Sequence, residues 1–290
     1  MKILHLFNFR REIYMDNNAT TPVSSEVIKK MTKVLRECYG NPSSLYKNAR
    51  NSAEILEESR NIIADTLNVL PRELVFTGSA SEANNTVIKS IFELKGTSRK
   101  KIISTPIEHP SVISALEYLK TRGAHIEYCK IDKHGRVDIS ALEKQADSET
   151  ALIICMLANN ETGIIQDIPL ISKIAKANGA YLISDCVQAL GKIPVDLKFL
   201  GVDYAVFSAH KVYGPKGIGV LFVKENCPIL PLIHGGHQER GIRAGTENIH
   251  NIAGFAEACK RIPKLLADIE ELKKILLMFA DSLLKINSEI

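Results

Sequence analysis

Seven short apolar runs, set among stretches of helical periodicity, constrain this chain more than any other feature. The runs are LVFT (74–77), KIIST (101–105), HIEYCKI (125–131), ALIICML (151–157), AYLISD (180–185), DYAVFS (203–208) and GIGVLFV (217–223). ALIICML is continuous instead of alternating, as in a strand covered on both faces. Helical periodicity between the runs predicts helices over about 81–94, 111–121 and 169–178. Strand–helix–strand order implies an α/β fold with a mostly parallel sheet sandwiched by helices. The last two runs are joined through the glycine-rich YGPKG (213–217), which predicts a local antiparallel pair and so a mixed sheet.

From about Ile252 to Ile286 the pattern is again helical, with a break at Pro263. Leu265, Leu266, Ile269, Leu272, Ile275, Leu276 and Phe279 recur at three and four residues, so a helix packed on a domain is expected. At the other end, MKILHLFNFRREI is broken by His5 and Asn8 and lacks a small-residue cleavage site. Residues 1–14 therefore read as a short extension instead of a targeting segment. No run reaches the length a membrane span requires. A net charge of +4 with dispersed basic residues does not call for nucleic acid. The six cysteines form no C-x-x-C pair, which suggests neither zinc nor disulfides and fits a reduced, cytoplasmic setting. Cys155, inside ALIICML, is expected in the core.

Ligands of open α/β sheets sit beyond the carboxyl ends of the strands, so the residues following each run carry the functional signal. After LVFT comes GSASEANN (78–85), where small residues and a helix N-terminus suit a phosphate; Ser79 or Ser81 would serve equally as a helix cap. After KIIST comes His109, which alone would be a turn residue. After ALIICML come Asn159 and Asn160, also common in turns. Asp185 ends AYLISD and is costly to bury unless paired; Gln188 follows. After DYAVF come Ser208, His210 and Lys211. Together these supply a lysine amine, a carboxylate, an imidazole, amides and a phosphate loop. That is the inventory pyridoxal 5'-phosphate needs: an amine for its aldehyde, an acid for its ring nitrogen, and N–H or hydroxyl donors for its phosphate.

The stretches YMDNNATTP (14–22), GNPSS (40–44), NNETGIIQDI (159–168), DCVQALGKIPVD (185–196), FSAHKVYGPKGIG (207–219) and HGGHQERGIRAGTEN (234–248) resemble the NifS/IscS cysteine desulfurases, in order, from about Tyr14 to Glu257. The resemblance implies the pyridoxal-phosphate aminotransferase fold type I, class V. It divides the chain into an extension (1–14), a large cofactor-binding domain (15–257) and the start of an incomplete small C-terminal domain (258–290). It implies that Lys211 holds the cofactor aldehyde, Asp185 its ring nitrogen and Gln188 its ring oxygen. His109 would stack on the ring and move protons, and Asn160 would lie between the ring oxygen and the substrate carboxylate. Ala80, Ser81, Ser208 and His210 would hold the phosphate. Thr246 would reach the phosphate of a neighbouring subunit, making a homodimer. Lys211 and His109 would be the catalytic pair, L-cysteine the substrate, and an iron–sulfur or tRNA-thiolation protein the sulfur acceptor.

The sequence departs from the family pattern at several positions. Ser81 replaces a common threonine, Cys186 follows the aspartate where alanine is frequent, and LYKNARNSA follows GNPSS where a histidine and a glycine are usual. No serine- and glycine-rich cysteine loop follows Glu257, nor the arginine that clamps the substrate carboxylate; Cys259 lies in a helical context. The family likeness therefore implies a cysteine desulfurase shortened at its C-terminus, with two other readings open. One is a selenocysteine lyase or other C–S lyase of the same class, which needs no such loop; the other is a non-catalytic dimer partner. Without a covering domain, the apolar stripe beyond Ile252 would promote aggregation or dependence on a partner.

Overall fold

The computed structural model describes residues 13–95 and 98–286; residues 1–12, most of the expected extension, lie outside them. Each apolar run contributes one strand: β1 (Leu74–Thr77), β2 (Lys101–Ser104), β3 (His125–Tyr128), β4 (Thr150–Ile154), β5 (Tyr181–Asp185), β6 (Tyr204–Ser208) and β7 (Gly219–Val223). They form one seven-stranded sheet in the order β1-β7-β6-β5-β4-β2-β3. β7 runs antiparallel to both β1 and β6, and the remaining pairs are parallel. Being opposed to the same strand, β1 and β6 point the same way. The carboxyl ends of β1, β2, β4, β5 and β6 therefore open on one edge.

The helices are α1 (Ser25–Glu37), α2 (Lys47–Leu67), α3 (Ala80–Lys95), α4 (Pro110–Lys120), α5 (Ile139–Gln145), α6 (Ile168–Ala177), α7 (Leu197–Leu200), α8 (Ile249–Cys259) and α9 (Ile262–Ile286). Side chains alternate across the sheet, as period-2 geometry demands. On β6, Ala205 and Phe207 join a core with α1, α2, α6 and α8, while Tyr204 and Val206 join a second core with α3 and α4. α3, α4 and α6 match the periodic stretches. α1 and α2 were not legible in the sequence: the buried face of α2 includes Ser52, Ser59 and Arg60 beside Leu56, Ile63 and Leu67, so its apolar stripe is interrupted.

The C-terminal stretch breaks after Cys259, and α9 places Pro263 in its first turn, where a missing N–H costs nothing. α8 is buried against α1 and α2. α9 is not packed as expected. Of its residues only Ile262 is buried, and Leu272, Ile275, Leu276 and Phe279 face solvent. No helix among the described residues is long and apolar enough to cross a membrane.

Candidate active site

The strand-end edge holds a cavity of about 490 Å³. Ala80 and Ser81 open α3 on one wall; Asp185 ends β5 and Gln188 follows it; Ser208 ends β6, with His210 and Lys211 just beyond; His109 and Asn160 close the remaining sides. These are all the candidate residues except Thr246, which lies in a separate pocket with Gly78, Gly217 and Arg243.

Asp185 is buried, and both oxygens are engaged. Oδ2 accepts from Asn84 Nδ2 at 2.9 Å and Oδ1 from the Val187 N–H at 3.0 Å. Burial pushes its carboxyl above the ordinary value, opposed by those hydrogen bonds and by His109 and Lys211. Lys211 sits in a 3-10 turn, Ala209–Lys211, that continues β6. Its ammonium donates to the carbonyls of Asn18 and of Ala19, the latter at 2.8 Å. Burial lowers the Lys211 amine, against the pull of Asp185 and Asp16. The turn is clamped by the N-terminal segment: the Thr21 N–H and Oγ1 both donate to the His210 carbonyl at 2.9 Å, and the Tyr213 N–H donates to Thr21 Oγ1 at 2.8 Å. Tyr213 holds a left-handed φ of 63°, so the chain leaving Lys211 is strained.

His109 caps α4: its Nδ1 accepts from the Ser111 N–H at 3.1 Å. That bond leaves Nε2 as the protonated nitrogen of the neutral ring. His210 Nδ1 lies 3.1 Å from Thr20 Oγ1, and burial, then Lys211 and Lys216, push its imidazole down to about 4. His210 is thus a neutral hydrogen-bonding group at any ordinary pH.

The loop between β1 and α3 is shaped by contacts behind it. A Cβ on Gly219 would lie 2.7 Å from the Ser79 carbonyl carbon and 2.9 Å from the Ala80 nitrogen. Only glycine on β7 lets this loop sit so low. Glu82 Oε2 accepts the Gly78 N–H at 2.8 Å, and Arg243 holds Glu82 Oε1 at 3.0 Å. The N–H groups of Ala80 and Ser81 begin α3 and have no intrahelical acceptor. They face the cavity side of a helix whose dipole favours an anion.

Three further residues of this edge escaped the sequence reading. Asn84 binds Asp185, and Asn18 receives Lys211. Glu108 is fully buried, its Oε1 accepting from Thr105 Oγ1 at 2.6 Å and the Met156 N–H at 2.8 Å. Asn18 and Asn84 stand inside stretches already singled out, and Glu108 directly precedes His109, but their partners are distant in sequence or are backbone groups, which leave no pattern.

The family model for class V aminotransferases matches residues 13–287. Cysteine desulfurase IscS of Dictyoglomus turgidum is 41% identical over 267 residues, covering 92% of this chain and 68% of that protein. The IscS of Methanosarcina thermophila is 40% identical, covering 95% and 67%. The chain belongs to the class V aminotransferases, in their cysteine desulfurase group. It spans about two thirds of the length of these relatives. A solved NifS-like protein superposes with a TM-score of 0.91 at 38% identity, covering 95% of this chain and 76% of that one. The apo cysteine desulfurase of Thermococcus onnurineus superposes at 0.86 with 30% identity, covering 94% and 73%.

Enzymes of this family use pyridoxal 5'-phosphate, and the cavity fits it. An amine and a buried carboxylate line one space, and a helix N-terminus with free N–H groups forms its wall. Sulfur acceptance is a different matter. None of the six cysteines lines the cavity. Burial pushes the thiols of Cys186, Cys227 and Cys259 up to about 12 and that of Cys129 up to about 11. Cys186 and Cys155 are core residues, Cys227 is half-buried, and none of these thiols is poised as a thiolate.

Proposed function

We propose that this chain uses pyridoxal 5'-phosphate, bound in the strand-end cavity, to release sulfur from L-cysteine and leave L-alanine. The observation carrying the proposal is that Lys211, Asp185 and the α3 N-terminus share one cavity. When bound, the cofactor supplies an electron sink conjugated to the substrate amine. Lys211 would tether the aldehyde through Nζ, and its lowered amine makes the uncharged, nucleophilic form more accessible. Asp185 would hold the ring nitrogen. A cationic partner there would offset the desolvation that now raises its carboxyl. His109 would face the ring and carry a proton on Nε2, Gln188 would bind the ring oxygen, and Asn160 would orient the substrate carboxylate. Ala80, Ser81, Ser208 and His210 would hold the phosphate, with Thr246 supplied by a second subunit of a homodimer. The separate position of Thr246 agrees with service in a neighbouring site.

Residues 15–257 would form the cofactor-binding domain, and 258–290 would begin another unit. Since no cysteine lines the cavity, the sulfur-accepting thiol would come from outside the described residues, and an acceptor protein would follow it. Free thiols throughout fit a reducing, cytoplasmic setting.

The test is reconstitution. The chain loaded with pyridoxal phosphate should show the visible band of a lysine-bound cofactor, and Lys211→Ala should abolish it. A band that survives refutes the assignment. Alanine formation from L-cysteine and from L-selenocysteine, with an added small thiol, then distinguishes a desulfurase from a selenocysteine lyase.

A further inference from the structure

The orientation of the Gln188 amide is set by a residue outside the cavity. Gln188 Oε1 accepts from the Lys192 ammonium, and Gln188 Nε2 donates to the Asn18 carbonyl at 3.0 Å. Oxygen and nitrogen of an amide are otherwise interchangeable in shape. An ammonium has three donors and no acceptor, so only one orientation presents it with an oxygen. Lys192 also donates to Asn18 Oδ1 at 3.0 Å, which fixes both ends of the pair. It lies four residues after Gln188 and does not line the cavity, so it reaches the site through Gln188 and Asn18. Gln188 is only 8% exposed, so water offers it little alternative.

We propose that Lys192 is a positioning residue that locks Gln188 with its N–H₂ group toward the cavity, as a donor to an anionic oxygen bound there. Under the function proposed above, on which only the second part of the test rests, that oxygen belongs to the cofactor ring. The lock depends on charge. Burial, then the positive charge of Lys211, push the Lys192 ammonium down to about 8. Once deprotonated, Lys192 can accept as well as donate, and only the Asn18 carbonyl still selects the orientation of the amide. The other charged groups facing this network are Lys211, Asp16 and Asp185; His210 is neutral in this range.

The first part of the test needs no cofactor. The Gln188 side-chain amide resonance, assigned by its loss in Gln188→Met, should move with a midpoint of about 8. In Lys192→Arg it should stay at its low-pH position throughout, because arginine keeps its charge. In Lys192→Met it should sit elsewhere and not move. A resonance indifferent to both substitutions overturns the proposal. The second part uses the loaded chain. Lys192→Met should shift the pH midpoint of the visible band by about one unit, tenfold in the equilibrium. Lys192→Arg should restore it, and Lys192→Met added to Gln188→Met should shift it less than Lys192→Met alone, leaving only the direct effect of the lost charge on Lys211. Additive shifts overturn the proposal. If the wild-type chain forms no band at all, the cofactor reading falls, and the amide resonance still decides the role of Lys192.

Discussion

At the carboxyl edge of the sheet, charged and amide groups are buried; along α9, large apolar groups face water. Glu108, Asp185 and Gln188 at that edge are all under 9% exposed, as are Arg60 and Glu239 along the outer side of β1, whereas Leu276 is 62% exposed. The two regions invert the usual distribution in opposite directions, and for different reasons. Each of these groups has hydrogen-bond partners that fix its position, and only Glu108 keeps a buried oxygen, Oε2, without one. Beyond Ile262 and Leu266, which pack on the core, the large apolar groups from Leu272 to Phe279 face water. Buried polarity therefore marks positions fixed by partners across the fold, the cavity wall among them, and exposed apolarity marks the part least constrained by the fold.

The strongest way to break this comparison is to unpair a buried charge. Arg60 Nη1 and Nη2 bind the Glu239 carboxylate at 3.0 and 2.7 Å, and Glu239 also accepts the Phe76 N–H at 2.8 Å. Arg60 reaches the Leu74 carbonyl at 2.9 Å. The pair thus ties α2 and β1 to the loop that bears Arg243 and Thr246. Arg60→Ala should cost about 3–5 kcal/mol, because Glu239 is left buried without its cation. Replacing both with methionine should cost far less. Denaturant melts of the two variants measure this, and equal losses would show that the pair is not what holds the loop.

Glu108 sharpens the same point through pH. Burial raises its carboxyl from the ordinary 4.5 to about 7, against hydrogen bonds from Thr105 and Met156, with Asp185 adding to the rise. The folded value lies above the unfolded one. The associated stability is therefore full below 4.5 and is lost as pH rises to about 7. At ~1.4 kcal/mol per unit the loss is about 3 kcal/mol. Glu108→Gln keeps an acceptor for Thr105 and Met156 but cannot ionise. Its stability should stay level across that window while the wild type declines, and parallel profiles would mean that the carboxyl is not raised. A smaller effect is expected at Gly219. Its alanine variant presses a methyl into the backbone of Ser79 and Ala80, costing about 1–3 kcal/mol. Uptake of pyridoxal phosphate should weaken with it, and unchanged uptake would detach this loop from phosphate binding.

Much of this edge was legible in the sequence because its rule is simple. A strand that is apolar to its end delivers the next few residues to the edge, and that places Asp185, Ser208 and Lys211 without further information. The sheet order was not legible: β7 sits between β1 and β6, although β1 precedes β7 by more than half of the sheet-forming sequence. Backbone acceptors were not legible either. The carbonyls of Asn18 and Ala19 that receive Lys211 belong to no side-chain pattern. α1 and α2 were missed because burial of serine and arginine interrupts the periodicity that signals a helix. The apolar period of α9 marks a helix, and of the two expectations for it, packed on a domain or left with its stripe exposed, the structure shows the exposed one, since periodicity reports a face and not the presence of something to cover it.

The smallest effect, and the sharpest contrast, is expected between α8 and α9. Phe255 is fully buried in α8, and Phe255→Ala should cost about 3–5 kcal/mol. Leu276 on α9 is mostly exposed, so Leu276→Lys should change stability by less than about 0.5 kcal/mol. The same substitution should lower self-association, because it interrupts the exposed run of Leu272, Ile275, Leu276 and Phe279. Melting curves and sedimentation of the two variants test both halves. If Leu276→Lys destabilises the chain as Phe255→Ala does, the arm is packed in solution, and exposure along α9 can no longer be set against burial at the sheet edge.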